Sequence, residues 1–117
     1  MPANPDEIII TENAIILPVA KLHHPEMSQE EAYEAARSFW NVSEDRRSSV
    51  QYAITAYDGH VQEVYKVNSW NSIETPKGTR WEFNGVRAAP VIRNKYLGKS
   101  LAYYKNRLAW GSRIYTL

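Results

Sequence analysis

The chain contains no cysteine. A disulfide framework, thiolate zinc sites, iron–sulfur ligation and a cysteine nucleophile are therefore all excluded. Histidine is scarce, with only His23, His24 and His60; adjacent histidines seldom converge on one ion, so no metal site is expected. Long apolar runs are missing too. Residues 8–10 and 15–17 are far too short to span a bilayer, and the start carries no basic segment of the kind that opens a secretory signal. A soluble cytoplasmic protein with no membrane partner is the expectation.

The motifs of common catalysts are equally absent. Gly98-Lys99-Ser100 has the ending of a phosphate-binding P-loop, but Arg93 stands where that motif needs its first glycine, and the segment ends a helix instead of opening one. No Gly-x-Ser-x-Gly elbow occurs. Most acids lie on the first residues and on the first helix, so no carboxylate pair falls in a plausible cleft. A non-enzymatic protein without a cofactor follows as the expectation.

What the chain does contain is a split of charge. A net charge of +1 over 117 residues conceals five Lys/Arg against twelve Asp/Glu in residues 1–76, about −7, and nine against one in residues 77–117, about +8. Trp81, Phe83, Tyr96, Tyr103, Tyr104, Trp110 and Tyr115 interleave with those cations. Cations neutralise phosphates and aromatic faces stack on bases, which is what a nucleic-acid surface needs. The alternative is that the basic part folds back onto the acidic part.

At this length one domain is expected, and 44% hydrophobic residues suffice for a core without metal or disulfide staples. Residues 1–7 read as a frayed leader and 8–117 as the domain. Two β-branched runs, 8–11 and 14–17, are followed by Pro18, which ends the second run or places it on a sheet edge. Ser28 and Glu31 have capping-box spacing ahead of a helix over 29–40, and residues 43–49 suit a second short helix. Residues 52–67 read as a hairpin around Asp58-Gly59, the pair favoured in a two-residue turn. Strict alternation then places Tyr52, Ile54, Ala56, Val61, Glu63, Tyr65 and Val67 on one face, taken as the core face. Residues 68–78 read as a polar loop and 80–83 as a short strand closed by Asn84-Gly85. Pro90 opens a helix that Gly98 stops, and 101–104 and 114–117 are candidate closing strands. The order suggests an α+β fold: a small curved mixed sheet or partial barrel with two to three helices.

Glu63 is the local anomaly, since a carboxylate on an apolar face must find donors or a proton. It could read a ligand's base edge, act as a general base, be tied to Arg37, Arg80 or Arg93, or be turned outward by a bulge. Trp40, Trp70 and Trp81, each near the end of an element, could form an aromatic slot or simply pack in the core. Tyr57, beside the turn, is a further candidate for ligand contact.

The stretches 27–40 (MSQEEAYEAARSFW), 52–67 (YAITAYDGHVQEVYKV), 80–83 (RWEF) and 92–100 (IRNKYLGKS) resemble an accessory module of bacterial and phage proteins that follows a GIY-YIG endonuclease domain. The nuclease signature itself is absent, so no catalytic residues carry over; the resemblance implies a targeting domain. In element order and hairpin pattern the chain also resembles PUA-like domains, which hold a nucleotide or modified base in an aromatic pocket on a small barrel. These likenesses imply a nucleic-acid-binding domain, for DNA or RNA. Arg80, Arg93, Lys95, Lys99 and Lys105 would meet phosphates, Trp40, Tyr57 and Trp70 would stack on an exposed or flipped base, and Arg37 or Glu63 would supply polar readout. The alternatives are a small nucleotide-ligand pocket in a phage or defence setting, and a protein-interaction module that forms a homodimer.

Overall fold

A computed structural model describes residues 10–18, 28–37, 40, 42–57, 59–101 and 114–115. Five strands and three helices follow in the order β1 (Ala14–Pro18), α1 (Gln29–Ala36), α2 (Glu44–Ser49), β2 (Tyr52–Tyr57), β3 (His60–Thr75), β4 (Gly78–Arg87), α3 (Pro90–Tyr96) and β5 (Ile114–Tyr115). They form one mixed sheet of order β4-β3-β2-β1-β5, in which β1 and β2 run parallel and the other neighbours antiparallel. The four longer strands curl into a half-barrel, so the class is α+β.

Local chemistry accounts for several boundaries. Ser28 caps α1 by accepting from the Glu31 amide at 3.0 Å, and Glu31 reaches back to the Ser28 amide, completing the capping box. Ser43 caps α2 in the same way through the Arg46 amide. Pro90 opens α3, and Gly98, at φ +75°, takes the left-handed conformation that ends it. β1 stops at Pro18. The helix expected over 29–40 is shorter: α1 ends at Ala36, because Arg37 and Trp40 offer backbone groups to β4 instead.

Two expectations about the hairpin need correcting. Tyr57 does pair with His60 across the turn, but the register shifts between Thr55 and Ala56, so Thr55 faces Glu63 while Ala56 faces Val61. The extra residue, Gln62, is a bulge that reverses the alternation beyond it. Nor is there a single core face. Ala14, Ile16, Ile54, Ala56, Val61 and Val64 point to one side, under Ile92 and Tyr96 of α3 and Leu101. Ile15, Leu17, Ala53, Tyr65 and Phe83 point to the other, with Tyr33 and Ala36 of α1 and with Val42 and Val50 on either side of α2. Covering both faces explains why the middle of β2 is buried without interruption. At about 2 kcal/mol for each large side chain withdrawn from water, both layers contribute.

Residues 68–78 are not a loop. β3 continues to Thr75 and β4 begins at Gly78, so past the end of β2 the two strands run on as a two-stranded ribbon. Asn84-Gly85 lies within β4 and closes nothing. Of the expected run 8–11, Ile10 and Thr11 are not in a strand and the rest lies outside the described residues. At the other end Leu101 is buried but not in a strand, and 102–104 lie outside the described residues.

At Gly85 β4 lies close against β3, beside the second register shift between Val67 and Ser69. A Cβ there would collide with the Lys66 carbonyl oxygen and crowd the Val67 backbone. Neither neighbour is a side chain that can turn away. Gly85→Ala should therefore cost at least about 2 kcal/mol in chemical denaturation; a loss within about 0.5 kcal/mol would show that β4 can shift to make room.

Candidate functional site

The Glu63 carboxylate is buried, with 3% of the residue exposed, and it is saturated with donors. Arg93 of α3 grips it with two bonds, Nε to Oε1 at 2.6 Å and a terminal nitrogen to Oε2 at 3.2 Å. Arg87, the last residue of β4, lies 3.3 Å away through Nε, and the Val64 amide donates to Oε1 at 3.0 Å. The bulge makes this possible, because it moves Glu63 to the face of Thr55 and Tyr65. Beyond Arg87, β4 no longer covers β3, so Arg93 can come round the open edge from the opposite face. Those hydrogen bonds from Arg93 to Glu63 hold its guanidinium above the ordinary arginine value.

Arg37, Trp40 and Trp70 gather along β4. Arg37 donates from Nε to the Phe83 carbonyl at 3.0 Å, bonds the Asn84 side chain, and lies within 3.6 Å of Glu34 and 3.5 Å of Glu82. Trp40 exchanges both backbone hydrogen bonds with Trp81 and donates its indole N–H to the Ala36 carbonyl at 2.7 Å. Trp70 packs edge-on against Phe83 with ring centres 5.9 Å apart, and its buried indole N–H has no partner among the described residues. Tyr57 and Glu63 belong to the other end of β3, by the β2–β3 turn. The five residues expected to form one pocket thus divide into two groups.

The expected phosphate contacts are spread more widely. Lys99 bonds Val61 through its backbone, whereas Arg80 pairs with Ile73. Those β3 partners stand twelve residues apart, about 40 Å of extended strand. Arg93 is committed to Glu63, and Lys95 to Glu12 at 2.8 Å. Lys105 lies outside the described residues. Charge therefore does fold back: Arg93 and Lys95, from the basic part, meet acids of the acidic part.

Sequence reasoning missed a different cationic group. Arg47 of α2 lies flat on the Trp81 ring, 3.4 Å from its centre, and is oriented by the Val42 carbonyl. Next to it is Arg46. The doublet was visible in the sequence, but it fell in the half whose sum is negative. Lys77, at the ribbon tip, and Lys66 have no side-chain partner among the described residues. Among those residues no cluster of three metal-ligating side chains forms, and no helix is long and apolar enough to cross a membrane.

A second polar group joins the start of β1 to α3. Glu12 accepts from Lys95 and bonds the Tyr96 hydroxyl, which in turn accepts from the Thr11 amide at 3.1 Å. Partial burial pushes the Glu12 carboxyl upward, but the bonds from Lys95, Tyr96 and Thr11 together outweigh it and hold the group below the ordinary value of 4.5. The folded state then binds fewer protons there than the unfolded state, so this contribution is present above about pH 4.5 and is lost as the pH falls through the lowered folded value. The melting temperature of Glu12→Gln should lie below that of the parent at neutral pH, and the gap should narrow as the pH falls below about 4.5. A gap independent of pH would contradict the assignment.

Comparisons with protein-family models, with curated proteins and with solved structures find no match to this chain.

Proposed function

We propose that this chain is a non-enzymatic nucleic-acid-binding domain that docks through the β3–β4 ribbon. The observation that carries the reading is the ribbon itself, which runs past the end of β2 and presents Lys77 and Arg80 at its tip. A two-stranded ribbon has the width that the major groove of B-form DNA admits. Arg80 uses one guanidinium nitrogen on the neighbouring Thr79 carbonyl, at 3.0 Å, which leaves the remaining N–H groups for phosphate oxygens. Asn71 lies on one ribbon face with Arg80 and Glu82 and offers an amide that can bond sugar, phosphate or base edge, whereas Asn84 on the same face is already bonded to Arg37 and Ser69. Arg47 on Trp81 adds a cation held flat against an aromatic ring close to the ribbon base.

The half-barrel sheet with helices on both faces supports the finer reading of the architecture as PUA-like. The role as an accessory domain of a nuclease belongs to the same proposal. Of the cations expected at phosphates, Arg80 and Lys99 carry over, while the ion pairs of Arg93 and Lys95 give those two side chains a structural use.

Binding to DNA or RNA oligonucleotides should weaken steeply with salt, and Lys77→Ala and Arg80→Ala should each reduce the slope of log K against log salt by about one unit. Neither side chain holds the core, so the melting temperature should stay within about 2 °C of the parent. Failure to bind any single- or double-stranded form at low salt would overturn the proposal, as would slopes unchanged by both substitutions.

A further inference from the structure

Between α1 and the exposed end of β4 lies a half-open cavity of about 240 Å³, bordered by Gln29, Tyr33, Glu63, Tyr65, Gly85 and Arg87. It is remote from the ribbon tip, and neither the tryptophans nor the cations considered above enter it, apart from Arg87 through its bond to Glu63. Tyr65 is 4% exposed, yet its hydroxyl has no hydrogen-bond partner among the described residues. Among the described residues Trp70 Nε1 is the side-chain atom that is both sealed from solvent and unpartnered, so the Tyr65 hydroxyl keeps some access, and Tyr65 is one of the residues that border the cavity. A hydroxyl with so little exposure depends on what the cavity can offer it. The nearby polar groups among the described residues are already engaged: the Tyr33 hydroxyl is held between the Gly85 amide, at 2.9 Å, and the Phe83 carbonyl, while Glu63 is taken by Arg93, Arg87 and the Val64 amide.

The charge of the cavity is set by the same cluster. One carboxylate, Glu63, faces two guanidiniums, which leaves the trio at +1. Arg93 does not border the cavity, so the excess is presented by Arg87, about a third exposed. With its oxygen turned toward Arg87, the Gln29 side-chain amide accepts from both terminal nitrogens at 3.1 and 3.3 Å. That oxygen belongs to an exposed, neutral side chain. An anionic oxygen makes a stronger bond to a guanidinium than an amide does, and a carboxylate matches its fork. Glu30 at the rim is exposed, where water screens its charge. The apolar part of the wall is formed by Ala32 and the Tyr33 ring.

We propose that this cavity binds a small monocarboxylate with an apolar body, its carboxylate displacing Gln29 from Arg87 and accepting from the Tyr65 hydroxyl, its body lying against Ala32 and the Tyr33 ring. Burial first, and the Glu63 charge second, push the Tyr65 hydroxyl up to about 12, so it is a neutral donor at any physiological pH. The volume suits a ligand of roughly ten heavy atoms, for which a dissociation constant near 1 mM is a reasonable scale.

Benzoate, with benzamide as its uncharged isostere, is the probe, and amide chemical shifts of the full chain are the readout. Saturable shifts centred on residues 29–33, 65 and 85–87 are expected with benzoate, and binding at least about tenfold weaker with benzamide. Tyr65→Phe keeps the ring that packs on Tyr33 and Phe83; it should leave the melting temperature unchanged and weaken benzoate about three- to tenfold. Arg87→Gln should abolish saturation. No saturable shift at about 20 mM benzoate, equal affinity for benzamide, or full affinity in folded Tyr65→Phe would each overturn the proposal. Because neither variant touches the ribbon tip, oligonucleotide binding and benzoate binding can fail independently.

Discussion

Past the pairing of Tyr65 with Arg87, β3 has no strand on its outer side among the described residues, and a sheet edge inside a fold must be covered by something. Here α3 and its flanks do so. The Ala88 amide donates to Val64, the Gly98 amide to Val61, and the Val61 amide to the Lys99 carbonyl, while Ser100 bridges His60. Glu63 stands in the middle of this stretch and ties its two sides together, the end of β4 through Arg87 and α3 through Arg93. A carboxylate so deeply buried would be untenable without donors. Its presence therefore constrains where α3 can lie, and with α3 the Tyr96 hydroxyl and Lys95 that hold Glu12 and the approach to β1.

The same constraint sorts the cations. Those nearest the acidic half are engaged: Arg37 with Glu34 and Glu82, Arg87 and Arg93 with Glu63, Lys95 with Glu12. Charge asymmetry along this chain thus has a folding use, drawing the basic C-terminal elements onto the acidic ones. What it leaves at the surface is more modest than the sum suggests, with Lys77 and Arg80 at the tip of the β3–β4 ribbon and Lys99 beside Val61, near the β2–β3 turn. A phosphate contact built on the ribbon and a carboxylate cavity built on Arg87 use different parts of that remainder.

Much of the fold was legible in local signals. Ser28 with Glu31 marked α1, Pro90 and Gly98 bracketed α3, and Asp58-Gly59 set the Tyr57–His60 pair. What could not be read was anything decided between elements. Gln62 carries no mark of a bulge, yet it moves Glu63 to the other side of the sheet. The polar alternation of 68–75 looked like a loop because neither face of a solvated ribbon needs apolar residues. Glu63 was recognisable as an anomaly, and Arg93 as one of its candidate partners, because a buried carboxylate limits the options; Arg87 was not, since nothing local to it predicts that β4 ends beside Glu63. Tyr65 was assigned to a core face without any sign that its hydroxyl would be left unpartnered. The tryptophans followed the same rule: their types were informative, but the partition into the Trp40–Trp81 bridge and the Trp70–Phe83 contact depended on tertiary pairing.

The central claim is that the Glu63–Arg93 pair couples α3 to the sheet. A double-mutant cycle with Glu63→Gln and Arg93→Met, read by urea denaturation, measures that coupling directly. Each single variant should be destabilised, and the double variant should lose less than the sum by at least about 1 kcal/mol, because either substitution alone strands its partner. Losses that add to within about 0.3 kcal/mol would mean that the two side chains are neighbours without energetic dependence, and that α3 is held by its apolar contacts alone.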